Sequence, residues 1–457
     1  MRALLISTLA LAGFATAQRP TEIMPPLNLP EMAADTTLPN GREISRPLPI
    51  ARGTNARAAP IVPVDAMSAR PAETTATEPE TLQYPPTLPP PGVRWDNAPG
   101  RQPRTWFSAE YTMNWAKGSK QPILALQTFN NTFPTLDNPS TRIALGGSRA
   151  DLGLHNGGRF TLGRALDAEN QFGVEGIYDY FGTATESHSL NAQLGSSVII
   201  GRPLINARTG VEDLVIVAAP GMPGSLDTSL SNRMSGWTAN LTALLYRDAT
   251  WGFTALAGYR YFDLDEKLRI VQVSDQTGNT GPSRMLVRTV SEDHFETRTI
   301  FHGVLLGTRA EFYYGRFFAQ LDSKISFGQT TDTVHIRGNT LLTVSDSTSQ
   351  VVSRYANGVF SQPSNNGKFT HRGFAVLPES HLRMGVLLTN HARLYLGYNV
   401  AYLSDAVRAT EQLDRVADLA QSVVNRPTQG LSNRPGVLFD RSAYWVQGLS
   451  FGLEWRY

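Results

Sequence analysis

From residue 105 onward the chain is written in runs of alternating polarity. Along 106–116, Phe107, Ala109, Tyr111, Met113 and Trp115 share one parity, while Ser108, Glu110, Thr112 and Asn114 take the other. A period of two is the mark of a strand with one apolar and one polar face. The pattern recurs at 156–165, 171–181, 236–247, 250–262, 299–313, 316–327, 380–389, 392–403 and 445–457. Each run is close to the roughly 9–11 residues with which a tilted strand crosses an outer-membrane-type bilayer. The last run sets Leu449, Phe451, Leu453, Trp455 and Tyr457 against Gly448, Ser450, Gly452, Glu454 and Arg456. A greasy outer face, a polar inner face and aromatic ends predict an all-β fold: a transmembrane, antiparallel, up-and-down β-barrel of ten strands.

The connections alternate in length, which orients the barrel. Short turns fall at 166–170, 248–249, 314–315 and 390–391; long loops fall at 117–155, 182–235, 263–298, 328–379 and 404–444. Short turns belong on the periplasmic side and long loops outside, so both ends of the barrel lie in the periplasm. Two apolar stretches inside one loop, Leu190–Ile200 and Leu214–Ala218, would raise the count to twelve if they formed a further hairpin in the wall. In 405–425, Ala409, Leu413, Val416, Ala417, Ala420 and Val424 recur at helical spacing, predicting an amphipathic helix over the barrel mouth, packed on other outer loops.

Aromatic residues mark both rims. Trp106, Trp251, Tyr313, Tyr395, Trp455 and Tyr457 are expected in the periplasmic girdle, and Trp115, Tyr180, Trp237, Tyr261, Tyr402 and Trp445 in the outer one. Arg164 and Arg247 have lipid-face parity beside short turns, where they would snorkel to the interface. His302 has the same parity, and nothing in the sequence accounts for it.

Composition changes the picture ahead of residue 105. Residues 1–17 read as a signal peptide: Arg2, an apolar run, then Ala15-Thr16-Ala17 as a cleavage site. Residues 18–104 hold more than half of the prolines and no surviving period, so a disordered Pro-rich periplasmic linker is expected, either as a plain unstructured leader or as a tether touching the cell wall. The chain has no cysteine, which excludes disulfides and thiolate chemistry. Its net charge of +2 with no basic block speaks against a nucleic-acid partner.

In the barrel region several short segments resemble the β-barrel porin family 7 of bacterial outer-membrane proteins. They are the opening strand 106–111 (WFSAEY), 157–163 (GGRFTLG) followed by 172–176 (FGVEG), and 402–408 (YLSDAVR) with 411–414 (EQLD). The resemblance covers the chain from about residue 105 to the end and implies a porin-like barrel; it carries over no catalytic residue and no substrate. The aromatic end of the last strand, Phe451, Leu453, Trp455 and Tyr457, also resembles the signal read by the barrel assembly machinery.

The inward parity collects a lumen set of both signs: Glu110, Arg159, Glu175, Arg260, Arg309, Glu311, Asp322, Lys324, Arg383, Arg393, Glu454 and Arg456. Either they form a salt-bridged plug, or they line a constriction that selects small solutes by charge. The leading expectation is a porin-type barrel in the bacterial outer membrane, narrow or gated. The alternative is a closed structural or surface-binding barrel tethered by its leader. No enzyme is expected: the histidines show no metal spacing and no nucleophile motif is present. No cofactor or metal site is expected either, although Asp263, Asp265, Glu266, Glu292 and Asp293 could hold a divalent cation or bridge lipopolysaccharide through one. The expected partners are outer-membrane lipid and lipopolysaccharide, the assembly machinery, and cell wall through residues 18–104.

Overall fold

The computed structural model describes residues 104–129, 132–280, 283–422 and 432–457. The signal peptide, the linker up to residue 103 and the end of the expected helix lie outside them. Ten antiparallel strands form one ring: β1 (Thr105–Ala116), β2 (Leu154–Ala165), β3 (Phe172–Ala192), β4 (Gly224–Arg247), β5 (Trp251–Thr280), β6 (Ser283–Tyr314), β7 (Phe317–Ser345), β8 (Gly367–Leu387), β9 (Ala392–Val407) and β10 (Arg441–Arg456). Each pairs with the next, and β10 closes onto β1 with Phe107 opposite Trp455 and Met113 opposite Leu449. Closure removes every sheet edge from the membrane, where an unpaired backbone group has no water to bind.

The middle strands are far longer than the membrane requires. β5 has 30 residues and β6 has 32, about three times the length that crosses a bilayer. Much of the expected loops 182–235, 263–298 and 328–379 is therefore continued wall. Polarity inverts where the strand leaves the bilayer. Below the inversion β5 turns Trp251, Phe253 and Tyr259 outward; above it Leu264, Leu268 and Ile270 are buried inward, while Lys267 and Arg269 are exposed outside. β4 changes in the same way, from outward Trp237 and Leu241 to inward Leu226, Leu230 and Met234. The alternation never stops. The solvent outside the wall changes from lipid to water, so the apolar face changes sides.

The upper enclosure is filled by loops. Residues 199–206 and 212–218 do form a hairpin, but it pairs with 125–128 in a separate small sheet and not with the ring. The wall therefore has ten strands, not twelve. Leu124, Ile200, Leu204, Phe360, Leu413 and Ala417 from the loops pack with Leu226, Leu268, Phe295 and Val334 from the wall in one apolar core. The expected helix over 405–422 is instead the end of β9, two 3₁₀ turns (Ala409–Gln412 and Leu419–Gln421) and a two-residue strand that pairs with Ile205 and Asn206. Ala409, Leu413, Ala417 and Leu419 are buried, as are the polar Arg408, Thr410, Gln412 and Asp418 between them, so the segment is enclosed on more than one side and not laid down by a single apolar face.

Candidate functional site: the charged lumen

Alternation alone places the lumen residues. Glu110 of β1 faces Gly452 of β10 and Arg159 of β2; Arg309 of β6 faces Asp322 of β7; Arg393 of β9 faces Glu454 of β10. Among the twelve residues read from the sequence, Arg159, Lys324 and Arg456 are partly buried and the other nine are buried. Lys324 stands between Gly307 and Glu379.

The charges pair across the section in tiers. Nearest the short turns, Glu454 accepts from Arg393 at 2.7 Å and Arg456 at 2.5 Å. Glu311 accepts from Arg247 at 2.9 Å, with Arg456 at 3.7 Å. At mid-height Asp322 takes two bonds from Arg309, at 2.8 and 3.1 Å, and one from Arg383 at 2.9 Å. Arg309 also reaches across to Glu175 at 2.9 Å. Above them Asp179 accepts from Arg159 at 2.6 Å and Arg260 at 3.2 Å, and Arg260 donates to Glu379 at 2.6 Å. Arg159 also donates to Nδ1 of His381 at 2.8 Å, which leaves the imidazole proton on Nε2, 3.4 Å from Glu110. Glu454 stands opposite Ser108 and is engaged by Arg393 and Arg456.

Several members of this network escaped the sequence reading. Trp106 belongs to the lumen and not to the periplasmic girdle: it shares parity with Ser108, is buried, and donates Nε1–H to Glu175 at 3.1 Å. The ring fits because Gly163 lies opposite; a methyl group there would overlap the indole. Tyr313 and Tyr395 also turn inward and join Phe318 in a small aromatic layer, over which Arg393 sits 4.4 Å from the Phe318 centroid. Arg247 does not snorkel. A bulge between Leu244 and Tyr246 reverses its parity and sends it inside to Glu311. A parity count cannot see a bulge before the partner strand is known.

The outer girdle explains His302. Its ring lies 5.2 Å from that of Tyr261, Nδ1 is 2.5 Å from the Tyr259 hydroxyl, and Trp237 stacks on Tyr261 at 6.0 Å. An amphipathic imidazole thus takes the place of an aromatic residue at the interface. The acids considered for a cation are divided by the wall. Glu266 and Asp293 turn inward to Arg408 and Arg202, both pairs fully buried, while Asp263 and Glu292 turn outward to Arg298 and Arg269. Among the described residues no cluster of metal-ligating side chains occurs.

What remains open is small. One cavity of about 40 Å³ lies among Glu110, Asp179, Lys324, Glu379 and His381. A second, of about 30 Å³, lies among Trp106, Glu175, Glu311, Arg393 and Glu454. Both are lined by Thr161, Arg309 and Arg383, so this crossing separates them. Each has room for a few waters at most.

No curated protein matches the sequence. Among solved structures, the outer membrane protease OmpT from Escherichia coli aligns at 9% identity with a TM-score of 0.36, covering 77% of this chain and 97% of that one. The TodX deltaS2S3 mutant, a monoaromatic hydrocarbon channel, aligns at 7% identity and TM-score 0.19, covering 79% and 94%. A Pseudomonas aeruginosa FadL homologue gives 7% and 0.19, covering 79% and 92%. The profile of the family described as "Putative beta barrel porin-7 (BBP7)" matches residues 106–457. That is the whole ring from the first strand to the last, and the chain belongs to this family of porin-like barrels.

Proposed function

We propose that the protein is a bacterial outer-membrane barrel held shut by its own side chains, serving as a membrane anchor for the folded loops it carries outside. The observation that supports this is the pairing of lumen charges across the full section. Seven guanidinium groups (Arg159, Arg247, Arg260, Arg309, Arg383, Arg393, Arg456), with Lys324 lining the cavity beside them, stand among seven carboxylates (Glu110, Glu175, Asp179, Glu311, Asp322, Glu379, Glu454). A selective constriction needs a ring of one sign; a near-neutral set is what a plug requires. The carboxylates are engaged by guanidinium, imidazole or phenol groups, which leaves them poorly placed as general bases, and the reading includes no catalytic role. Purified protein in planar bilayers should give no conductance steps at neutral pH. Steady steps from the native chain would overturn the closed state.

A second reading, gated passage of small solutes, is favoured by the stacking of the two cavities on the Arg309–Asp322–Arg383 crossing. On this reading Arg383→Ala joins them and produces small conductance steps absent from the wild type. The leader is proposed as a cell-wall tether, tested by retention on cell-wall fragments with and without residues 18–104. The terminal run Phe451–Tyr457 is proposed as the assembly signal. Removal of Trp455–Tyr457 should abolish heat-modifiable, membrane-integrated protein, and normal insertion of the shortened chain would refute it.

A further inference from the structure

On the outside of the wall, just above the outer aromatic girdle, lies a groove of about 280 Å³. Its walls are mainly outward residues of β4 and β5, with Thr183 of β3, Arg298 of β6 and the buried Asn232 at its base. Arg233 stands opposite Asp265, Ser231 opposite Lys267, and Asp265 opposite Arg298. A bulge between Asn232 and Met234, where Gly182 and Thr183 of β3 face the single Arg233, turns the wall there. Asp263 holds Arg298 by two bonds, at 2.9 and 2.6 Å, which fixes the guanidinium in the groove. Lys267 lies 4.0 Å from Asp265. Arg233 makes no ion pair among the described residues. Three cations against two carboxylates leave the groove net positive.

Its height decides what it meets. The Tyr261 hydroxyl lies 3.3 Å from Asp263, so the charged groove begins where the girdle ends. Lipid chains lie below that line, and headgroups occupy the few ångströms above it. The groove faces outward, away from the lumen, and is continuous with the lipid-facing ledge of Trp237, Tyr261 and His302. We propose that this groove is a binding site for the phosphoryl headgroup of an outer-leaflet lipid, with Arg233 and Lys267 as mobile donors and Arg298 as a fixed one. Guanidinium groups suit phosphate through paired N–H donors. A bare divalent cation fits less well, because Arg298 already occupies Asp263. The proposal does not depend on whether the lumen is open.

The full chain, folded into phosphatidylcholine vesicles, is offered a minor fraction of bis-phosphorylated lipid A, its dephosphorylated form, or inorganic phosphate in solution. Lipid co-purifying with the protein is measured by mass spectrometry. The double variant R233Q/K267Q should retain about a hundredfold less phosphorylated glycolipid than the wild type, since each of the two charge-assisted bonds contributes about tenfold. Both residues are exposed, and the heat-modifiable mobility shift reports folding; R233Q alone serves if the double variant does not fold. The variant R337Q removes a cation elsewhere on the outer wall and should bind as the wild type does. Displacement of the glycolipid by inorganic phosphate supports the site with free phosphate as a source; failure to displace it supports the lipid. Equal retention of the two lipid A forms, no loss in R233Q/K267Q, or an equal loss in R337Q overturns the proposal.

Discussion

The membrane-level lumen and the enclosure above it are filled in opposite ways by the same strands. At membrane level the wall's own inward side chains meet at the centre, as charges, with Asp322 clasped by Arg309 and Arg383. Above it the inward side chains are largely apolar: Phe181, Met234, Phe301, Leu377 and Tyr444 of the wall pack together, and in a second cluster loops enter and supply Ile200, Leu204, Phe360 and Leu413. The lower filling needs no loop; the apolar core around Leu226, Leu268, Phe295 and Val334 is completed by loops. Two fully buried pairs join loop to wall, Arg202 to Asp293 and Arg408 to Glu266. An inward face can be polar where lipid demands the apolar residues outside. It turns apolar once water takes lipid's place.

The largest test of this contrast is Asp322→Ala. It strands Arg309 and Arg383 without their shared anion, and loss of one member of a buried pair costs about 4 kcal/mol. The denaturant midpoint of the heat-modifiable band should fall sharply; a shift within error would mean that the pairs contribute little to the membrane-level filling. Leu204→Ala, in the loop core, should cost roughly 3 kcal/mol. Its effect should stay local, as faster hydrogen exchange and proteolysis of the outer loops while the heat-modifiable barrel persists. Melting of the whole barrel together with the loops would show that the two fillings are one cooperative unit.

A smaller effect is expected at Gly163→Ala, where the new methyl group must displace the Trp106 ring and its bond to Glu175. Overpacking of this kind costs about 2 kcal/mol, and near-ultraviolet circular dichroism should show the indole moving. An unchanged spectrum would place Trp106 elsewhere. The smallest effect concerns the turn that follows β7. The amides and hydroxyls of Thr348 and Ser349 bond Asp346 and hold its carboxyl down to about 2. The folded value lies below the unfolded one, so this contribution is complete above the ordinary carboxylate range and is lost as pH falls through about 2. Pepsin nicking between 346 and 349 should therefore rise only at the acid end of that window. Asp346→Asn should remove the pH dependence, and a flat wild-type profile would contradict it.

Much of the barrel was legible because strand parity is a local property. Leu449, Phe451 and Trp455 face out, and Glu110, Arg309 and Arg393 face in, whatever their partners are. The errors arose where parity is not local. Arg247 changed sides through a bulge, and Trp106 was assigned to a rim by residue type although its parity placed it with Ser108. The long stretches 263–298 and 328–345 do not match a membrane strand, greasy outside, although their residues keep the alternation with its sense reversed.

The sequence by itself determined the barrel, its ten crossings and which residues face inward, since a strand's two faces follow from its period alone. Only the tertiary structure decided which inward charges pair, that the wall continues past the membrane, and that the loops fold back to fill it. Those outcomes depend on register and closure, which bring Arg159 to His381 and Arg202 to Asp293 across long separations in the chain. Whether an alternating segment shows its apolar side to lipid or to a core is set by what surrounds the strand, and a strand's own residues do not carry that information.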